Sequence, residues 1–104
     1  MNPPQIDFDR ARELLRGGDA TFVDVRDAGS YKAKHIPGAI HLDDSTVGKF
    51  VDDTAKDARV VVYCYHGNSS LGATAYLQEQ GFTSVASLIG GFTHWEAAGG
   101  DCES

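Results

Sequence analysis

The sequence has 104 residues, of which 41% are hydrophobic and 23% are charged, as in a soluble globular domain with a modest core. Its formal net charge of −6 argues against nucleic acids and anionic membranes as partners, because basic surfaces bind both. No apolar run approaches the roughly 20 residues that span a bilayer. The N-terminus has neither the basic nor the apolar part of a secretion signal, so we expect a cytoplasmic protein.

The first half of the chain alternates short strand and helix patterns. β-Branched and aromatic runs bounded by Gly or Asp predict the strands, and an acidic or hydroxyl residue before each helix predicts its N-cap. The predicted strands are an edge strand at Gln5–Ile6, a strand over 20–25 and a strand over 39–42. The predicted helices lie over 10–15, ended by Gly17 and Gly18, over 30–33 and around 47–51. Their predicted N-caps are Asp7 or Asp9 for the first helix, Asp27 for the second, and Asp43, Asp44 or Ser45 for the third.

The second half continues the alternation. Residues 59–63 form the most strand-like run, apolar on both faces like a buried central strand of a parallel sheet. A helix over 70–80 with Gly81 as its C-cap, a strand over 84–88 and a short helix around 93–97 follow. Alternating strands and helices predict a single α/β domain over residues 1–104 with a mainly parallel sheet. We expect the core to span about 6–98 and the Gly-rich tail, 99–104, to be flexible.

One cysteine lies where such sheets bind their ligands. Cys64 directly follows the predicted central strand, and ligands of parallel sheets bind beyond the carboxyl ends of the strands. A polar loop and a helix come next, and their backbone N–H groups favour a thiolate. We predict that Cys64 is a reactive thiolate whose partner is a small anion; the alternative is an inert core cysteine. The second cysteine, Cys102, lies in the tail, and no disulfide is expected in a reducing compartment.

The basic residues are unevenly distributed along the chain. All nine Lys and Arg residues lie at or before Arg59. The loop after Cys64 and the helix that follows it therefore carry no cationic side chain. Backbone amides, the helix N-terminus and hydroxyl groups remain as the local means of holding an anion.

Three segments of the sequence resemble the rhodanese family of sulfurtransferases. The first is Val23-Asp24-Val25-Arg26-Asp27 with Tyr31 and residues 35–40, the second is Cys64-Tyr65-His66-Gly67-Asn68-Ser69-Ser70, and the third is Gly90-Gly91-Phe92 with Trp95. They occur in the order found in the family, and the resemblance covers roughly residues 6–98. The cysteine loop is most similar to that of GlpE-type thiosulfate sulfurtransferases.

The resemblance implies a rhodanese-like fold, a five-stranded parallel sheet flanked by helices on both faces. It implies that Cys64 takes the sulfane sulfur of thiosulfate as a persulfide, releases sulfite, and passes the sulfur to cyanide or to a thiol such as a reduced thioredoxin-like protein. It implies no metal and no organic cofactor. It also implies a six-residue loop, Cys64 to Ser69, whose amides point at the sulfur. Many members have a basic residue after the cysteine and a basic or hydroxyl residue at the end of the loop, where this chain has Tyr65 and Ser69.

The loop residues are the predicted contacts of the sulfur donor. They are Tyr65, His66, Gly67, Asn68, Ser69 and Ser70. Each has a simpler alternative: Tyr65 packs, His66 faces solvent, Gly67 supplies backbone geometry, and the polar residues at the end of the loop cap the helix. We favour capping for Ser70 and donor contact for Ser69.

The charged residues of the first segment have a structural interpretation. An ion pair of Arg26 that holds the loops in place is favoured over a catalytic role for Asp24, Arg26 or Asp27. Cys64 and His66 alone do not make a metal site, because no third or fourth ligand is suggested by the spacing.

Two other function classes remain open. A Cys-based phosphatase needs an Arg at the position of Ser70, because a guanidinium clamps phosphate through two hydrogen bonds. A non-enzymatic rhodanese-like binding module is the second alternative. Such modules usually lack the cysteine, and this chain retains Cys64.

Overall fold

The computed structural model describes residues 3–104, which form a five-stranded, fully parallel sheet with helices on both faces. The strands are β1 (Gln5–Ile6), β2 (Thr21–Asp24), β3 (Ile40–His41), β4 (Val60–Tyr63) and β5 (Val85–Leu88). The helices are α1 (Phe8–Gly17), α2 (Ala28–Ala33), α3 (Val47–Asp53), α4 (Ser69–Glu79) and α5 (Gly91–Ala97). The strand order is β1-β5-β4-β2-β3. This architecture confirms the predicted fold class.

β4 is the central strand, as its sequence predicts. It pairs with β2 on one side and β5 on the other, and all four of its residues are buried. Successive side chains point to opposite faces of a sheet. Val61 and Tyr63 therefore pack into one core cluster with α1 and α5, and Val60 and Val62 pack into the other with α3 and α4. Each buried valine contributes about 1.5–3 kcal/mol to the free energy of folding, so the strand before Cys64 is firmly anchored.

Two predicted helix caps are confirmed. The Asp7 carboxylate accepts a hydrogen bond from the Arg10 amide at 2.9 Å, and Asp27 accepts one from the Ser30 amide at 3.0 Å. Each satisfies an N–H group that has no partner within the helix. The Asp27 cap also fixes the direction in which the chain leaves β2, next to the candidate site.

Two other caps differ from the prediction. The N-cap of α3 is Thr46, whose side chain makes no capping bond. Instead Asp43 accepts hydrogen bonds from the amides of Ser45 and Thr46, in the turn that precedes the helix. At the end of α4 the C-cap is Gln80, one residue before the predicted Gly81. These displacements of one to three residues reflect turn geometry that residue type alone does not define.

The C-terminal tail is attached to the body of the domain. Glu103 and His35 exchange two backbone hydrogen bonds of 2.8 Å in an antiparallel bridge. The Glu103 carboxylate also accepts from the Gly38 amide at 2.9 Å, and the Trp95 indole donates to the Asp101 carbonyl at 2.9 Å. These bonds to distant residues attach a segment whose own composition favours no structure, and the flexibility expected of the tail stays a prediction.

None of the helices described within residues 3–104 is long and apolar enough to cross a bilayer. The cellular location predicted from the sequence stays a prediction.

Candidate active site

Cys64 lies at the point where the sheet topology opens a crevice. From β2 the chain runs outward to β3, and from β4 it runs outward to β5 in the opposite direction. Ligands of open parallel sheets bind in the crevice between two such strands, beyond their carboxyl ends. A cavity of about 390 Å³ lies there, between the segment after β2 and the loop after β4. Its lining residues are Val25, Arg26, Asp27, Cys64, Tyr65, His66, Asn68 and Ser69.

The Cys64 sulfur is surrounded by hydrogen-bond donors. It accepts from the Gly67 amide at 3.2 Å and from the Ser70 amide at 3.3 Å. The Ser70 hydroxyl lies 3.3 Å from the same sulfur. The loop thus curls around Sγ and turns backbone N–H groups toward it. This is the arrangement that the family resemblance implies, although only two of the amides reach hydrogen-bond distance.

Ser70 has a different role from the predicted one. Its side chain is fully buried, and it does not cap α4, whose N-cap is Asn68. The Ser70 hydroxyl instead lies between Cys64 and Ser87 of β5, with an Oγ–Oγ distance of 2.7 Å to Ser87. When Cys64 is a thiolate, Ser87 can donate to Ser70 and Ser70 to the sulfur, since each hydroxyl has one proton and can also accept. Ser87 was not predicted, because only the sheet register places it here.

The pKa of the Cys64 thiol reflects two opposing effects. Burial raises it, because desolvation disfavours the charged thiolate. Hydrogen bonds from the Ser70 hydroxyl and from the amides of Ser70 and Gly67 lower it, with a smaller contribution from the His66 amide. The hydrogen bonds outweigh burial, and the pKa lies below that of an ordinary cysteine. A lowered pKa favours the thiolate, which is the form in which a cysteine can act as a nucleophile, and it requires no neighbouring base.

The remaining loop residues surround the mouth of the cavity. Tyr65, His66, Asn68 and Ser69 are exposed and line it, so all four are placed to meet a ligand. The Tyr65 hydroxyl is hydrogen-bonded to that of Ser30, which links the loop to α2. None of these four side chains hydrogen-bonds the sulfur in the part of the chain that the structure describes.

Two glycines give the loop its shape. Gly67 has φ +92°, which confirms its predicted role in backbone geometry, since residues with a Cβ rarely adopt this conformation. Gly91, at the start of α5, has φ +62°, and a Cβ there would lie 2.5 Å from the Tyr65 carbonyl oxygen and 2.6 Å from that of Cys64. This close approach lets the Phe92 amide donate to the Cys64 carbonyl at 2.7 Å. The third sequence segment therefore positions the cysteine loop.

Arg26 forms an ion pair, as predicted from the sequence, and its partner is Asp24. Its guanidinium lies 2.7 Å from the Asp24 carboxylate and donates to the Lys34 carbonyl at 2.6 Å, with 3% of the side chain exposed. It also stacks 4.1 Å above the centre of the Phe92 ring. Arg26 thus links β2, α2 and α5. Sequence reasoning missed that this cation also lines the Cys64 cavity, because the contact joins segments far apart in the chain.

No group of three or more His, Cys, Asp or Glu residues that could hold a metal ion occurs among residues 3–104. The two cysteines are both free thiols. The Cys64 sulfur, in a residue that is 95% buried, lies next to an open space large enough for a small anion.

Known proteins are similar to this chain in sequence and in fold. Residues 7–98 match the family model of the rhodanese-like domain. The chain is 45% identical over 93 residues to the thiosulfate sulfurtransferase GlpE of Pseudoalteromonas translucida, covering 89% of each protein. It is 47% identical over 85 residues to the GlpE of Pseudomonas savastanoi pv. phaseolicola, covering 82% of this chain and 80% of the relative.

The fold comparison agrees with the sequence comparison. The solution structure of the rhodanese-like domain of the Anabaena protein Alr3790 superposes with a TM-score of 0.88 at 31% identity. The match covers 97% of this chain and 79% of that domain. These findings confirm the resemblance drawn from the three sequence segments.

We expect Gly91→Ala to destabilise the protein by about 2 kcal/mol or more, because left-handed backbone costs 1–2 kcal/mol and the new Cβ clashes with the cysteine loop. Urea denaturation measures the change in the free energy of unfolding. Gly72→Ala is the matched control: its Cβ meets nothing within 4 Å, and alanine stabilises a helix by about 0.5–1 kcal/mol. Similar effects of both substitutions would show that Gly91 is not a point of close contact.

We expect Ser70→Ala to raise the pKa of the Cys64 thiol, because the substitution removes the hydroxyl that lies 3.3 Å from the sulfur. The thiolate fraction at neutral pH then falls. The pH dependence of alkylation by iodoacetamide reports this pKa, and its midpoint should move to higher pH. Ser69→Ala, which removes an exposed hydroxyl one residue away, should leave the midpoint unchanged. An unchanged midpoint in Ser70→Ala would refute the assigned role of the hydroxyl.

Proposed function

This chain belongs to the rhodanese-like domain family, and we propose that it is a sulfurtransferase that takes the sulfane sulfur of thiosulfate. One observation carries the proposal: a cysteine sulfur with a lowered pKa accepts hydrogen bonds from the Gly67 and Ser70 amides inside an open cavity. Relatives that cover most of this chain are named thiosulfate sulfurtransferases.

In the first half-reaction, the Cys64 thiolate attacks the outer sulfur of thiosulfate. A sulfur–sulfur bond forms to Cys64, the bond to the sulfonate sulfur breaks, and its electron pair leaves with sulfite. Cys64 is left as an anionic persulfide. Donors that already surround Sγ are suited to hold this second sulfur, since they face the position where negative charge develops.

In the second half-reaction, an acceptor removes the outer sulfur. Cyanide attacks it, thiocyanate leaves, and the bonding electron pair returns to Cys64 as the thiolate. A thiol, including that of a reduced thioredoxin-like protein, reacts in the same way to give a new persulfide. The chain itself supplies the nucleophile and the hydrogen-bond donors, and neither step calls for an added cofactor.

The donor is held without a free cation. Thiosulfate has two negative charges, yet the nearest guanidinium, that of Arg26, is already paired with Asp24 at 2.7 Å. We propose that the polar residues at the cavity mouth, His66, Asn68 and Ser69, hydrogen-bond the sulfonate oxygens while the loop amides hold the reacting sulfur. Recognition by hydrogen bonds instead of ion pairs predicts modest affinity for the dianion.

The competing function classes fit the site less well. A Cys-based phosphatase requires an arginine where this loop places the buried Ser70, and the one cation that lines the cavity is tied to Asp24. A non-enzymatic binding module needs no sulfur whose pKa is lowered by hydrogen bonds from its own loop. Both alternatives are tested by the activity assay below.

We expect the wild-type protein to produce thiocyanate from thiosulfate and cyanide, and Cys64→Ser to produce none, because a hydroxyl does not ionise at neutral pH. The measurement is the colorimetric thiocyanate assay. Cys102→Ser is the control: Cys102 lies in the tail and packs against the α1 and α5 side of the core, so its loss should leave the rate unchanged. Absence of thiocyanate with wild type would overturn the proposed reaction, and activity of Cys64→Ser would overturn the role of Cys64.

A further inference from the structure

We propose that a second cavity next to Cys64 binds the sulfur acceptor, and that this acceptor is a small aliphatic thiol carrying a positive charge. The inference rests on the sulfurtransferase function proposed above and adds the chemical class of the acceptor. Three observations carry it: the position of the cavity, its apolar floor and the carboxylates at its rim.

The second cavity adjoins the site of the nucleophile. It has a volume of about 500 Å³ and lies between α3, α4 and the segment after β2. Val25 and Ser69 line both this cavity and the one that contains Cys64. A molecule lying in it can therefore extend past these two residues toward the sulfur. Its volume is within the range of small-molecule sites, about 300–1,000 Å³.

The floor of the cavity is apolar. Val25, Leu42, Val47 and Ala73 contribute aliphatic surface, and these residues also belong to or pack against the core cluster between the sheet, α3 and α4. An inorganic anion such as thiosulfate gains nothing from such a surface. An alkyl chain does, by about 25 cal/mol for each Å² of apolar area that it covers.

The rim of the cavity is negatively charged. Asp43 and Asp44 line it, and Asp27 lines the adjoining Cys64 cavity. A hydrogen bond from the Ser45 hydroxyl lowers the pKa of Asp43, so this carboxylate is ionised at neutral pH. Asp44 is exposed, and its carboxylate makes no ion pair within residues 3–104, which leaves it available to a ligand.

Few positive charges oppose these carboxylates. Arg26 lines the Cys64 cavity but is paired with Asp24 at 2.7 Å. His66 lines the same cavity, and His41 Nδ1 lies 4.0 Å from the Asp43 carboxylate. The second cavity, with Asp43 and Asp44 at its rim, thus favours a cation over an anion.

The transfer step is balanced with such a thiol. The acceptor thiol gives its proton to the outer sulfur of the anionic Cys64 persulfide, and the resulting thiolate attacks that sulfur. A new sulfur–sulfur bond forms, the bond to Cys64 breaks, and its electron pair stays on Cys64 as a thiolate. The product is the persulfide of the acceptor, which keeps the proton, and no oxidant or reductant is consumed.

The test compares thiols that differ only at the end remote from sulfur. The persulfide is first formed on the wild-type protein with thiosulfate. The rate at which a thiol removes the outer sulfur from Cys64 is then measured for ethyl, propyl and hexyl thiols that end in an ammonium, a hydroxyl or a carboxylate. The readout is the ratio of kcat/KM for the ammonium thiol to that for the carboxylate thiol of equal length. Comparing this ratio between variants cancels the intrinsic reactivity of each thiol.

We expect the wild-type protein to prefer the ammonium thiols. In Asp44→Asn the ratio should fall about threefold, in line with exposed ion pairs worth up to about 1 kcal/mol, and in Asp44→Lys the preference should reverse. Asp57→Asn removes an exposed carboxylate before the start of β4, at the opposite end of the sheet, and should leave the ratio unchanged. All variants are assayed with cyanide as well, whose discharge rate should not follow the charge at residue 44.

Several outcomes would overturn the inference. If the ratio is the same in wild type, Asp44→Asn and Asp44→Lys, the charged rim does not determine which thiol the protein prefers, and the inference is refuted. If only a reduced protein dithiol removes the sulfur from Cys64, and none of the small thiols does, the cavity is the site of a protein partner and the inference is wrong. If cyanide discharges the persulfide while these ratios do not change, the inference alone fails. If thiosulfate forms no persulfide on the wild-type protein, the proposed function fails first and the inference falls with it.

Discussion

A buried sulfur anion is the constraint on which the candidate site depends. Cys64 is only 5% exposed, and burial by itself disfavours a charged thiolate. The protein compensates with hydrogen bonds from the amides of Gly67 and Ser70 and from the Ser70 hydroxyl, each 3.2–3.3 Å from the sulfur. Charge on the sulfur is therefore stabilised mainly by backbone geometry, and the rest of the fold maintains that geometry.

Three parts of the structure keep the loop in place. β4 anchors its start in the centre of the sheet. α5 holds its carbonyl groups through the amides of Phe92 and Thr93, at 2.7 and 3.0 Å, which the absence of a side chain at Gly91 makes possible. Arg26 joins the adjacent segment after β2 to Phe92. Because these parts come from distant positions in the chain, the nucleophile is organised only when the whole domain has folded.

The sequence predicts the fold well because its signals are local. The β-branched run before Cys64, the caps at Asp7 and Asp27 and the alternation of strands and helices each depend on neighbouring residues, and the structure confirms them. The site is predicted less completely. The Ser70 hydroxyl lies between the Cys64 sulfur and Ser87 of a separate strand. No sequence pattern around Ser70 predicts its hydrogen bond with Ser87.

The attachment of the tail and the position of Arg26 at the cavity were not predicted, for the same reason. Glu103 meets His35 across 68 residues of sequence, and the cation at the cavity comes from a segment well before the cysteine loop. The count of basic residues after Arg59 correctly indicates that the loop has no cation of its own. It does not show that the paired guanidinium of Arg26 and the carboxylate of Asp27 line the cavity beside that loop.

We propose that Cys64, whose charge is stabilised by hydrogen bonds and by no free cation among residues 3–104, accepts one sulfur atom. The intact mass of the protein after incubation with thiosulfate tests it most directly. We expect a gain equal to one sulfur atom, located on the peptide that contains Cys64 and removed by cyanide. An unchanged mass, or a gain located on Cys102, would contradict it.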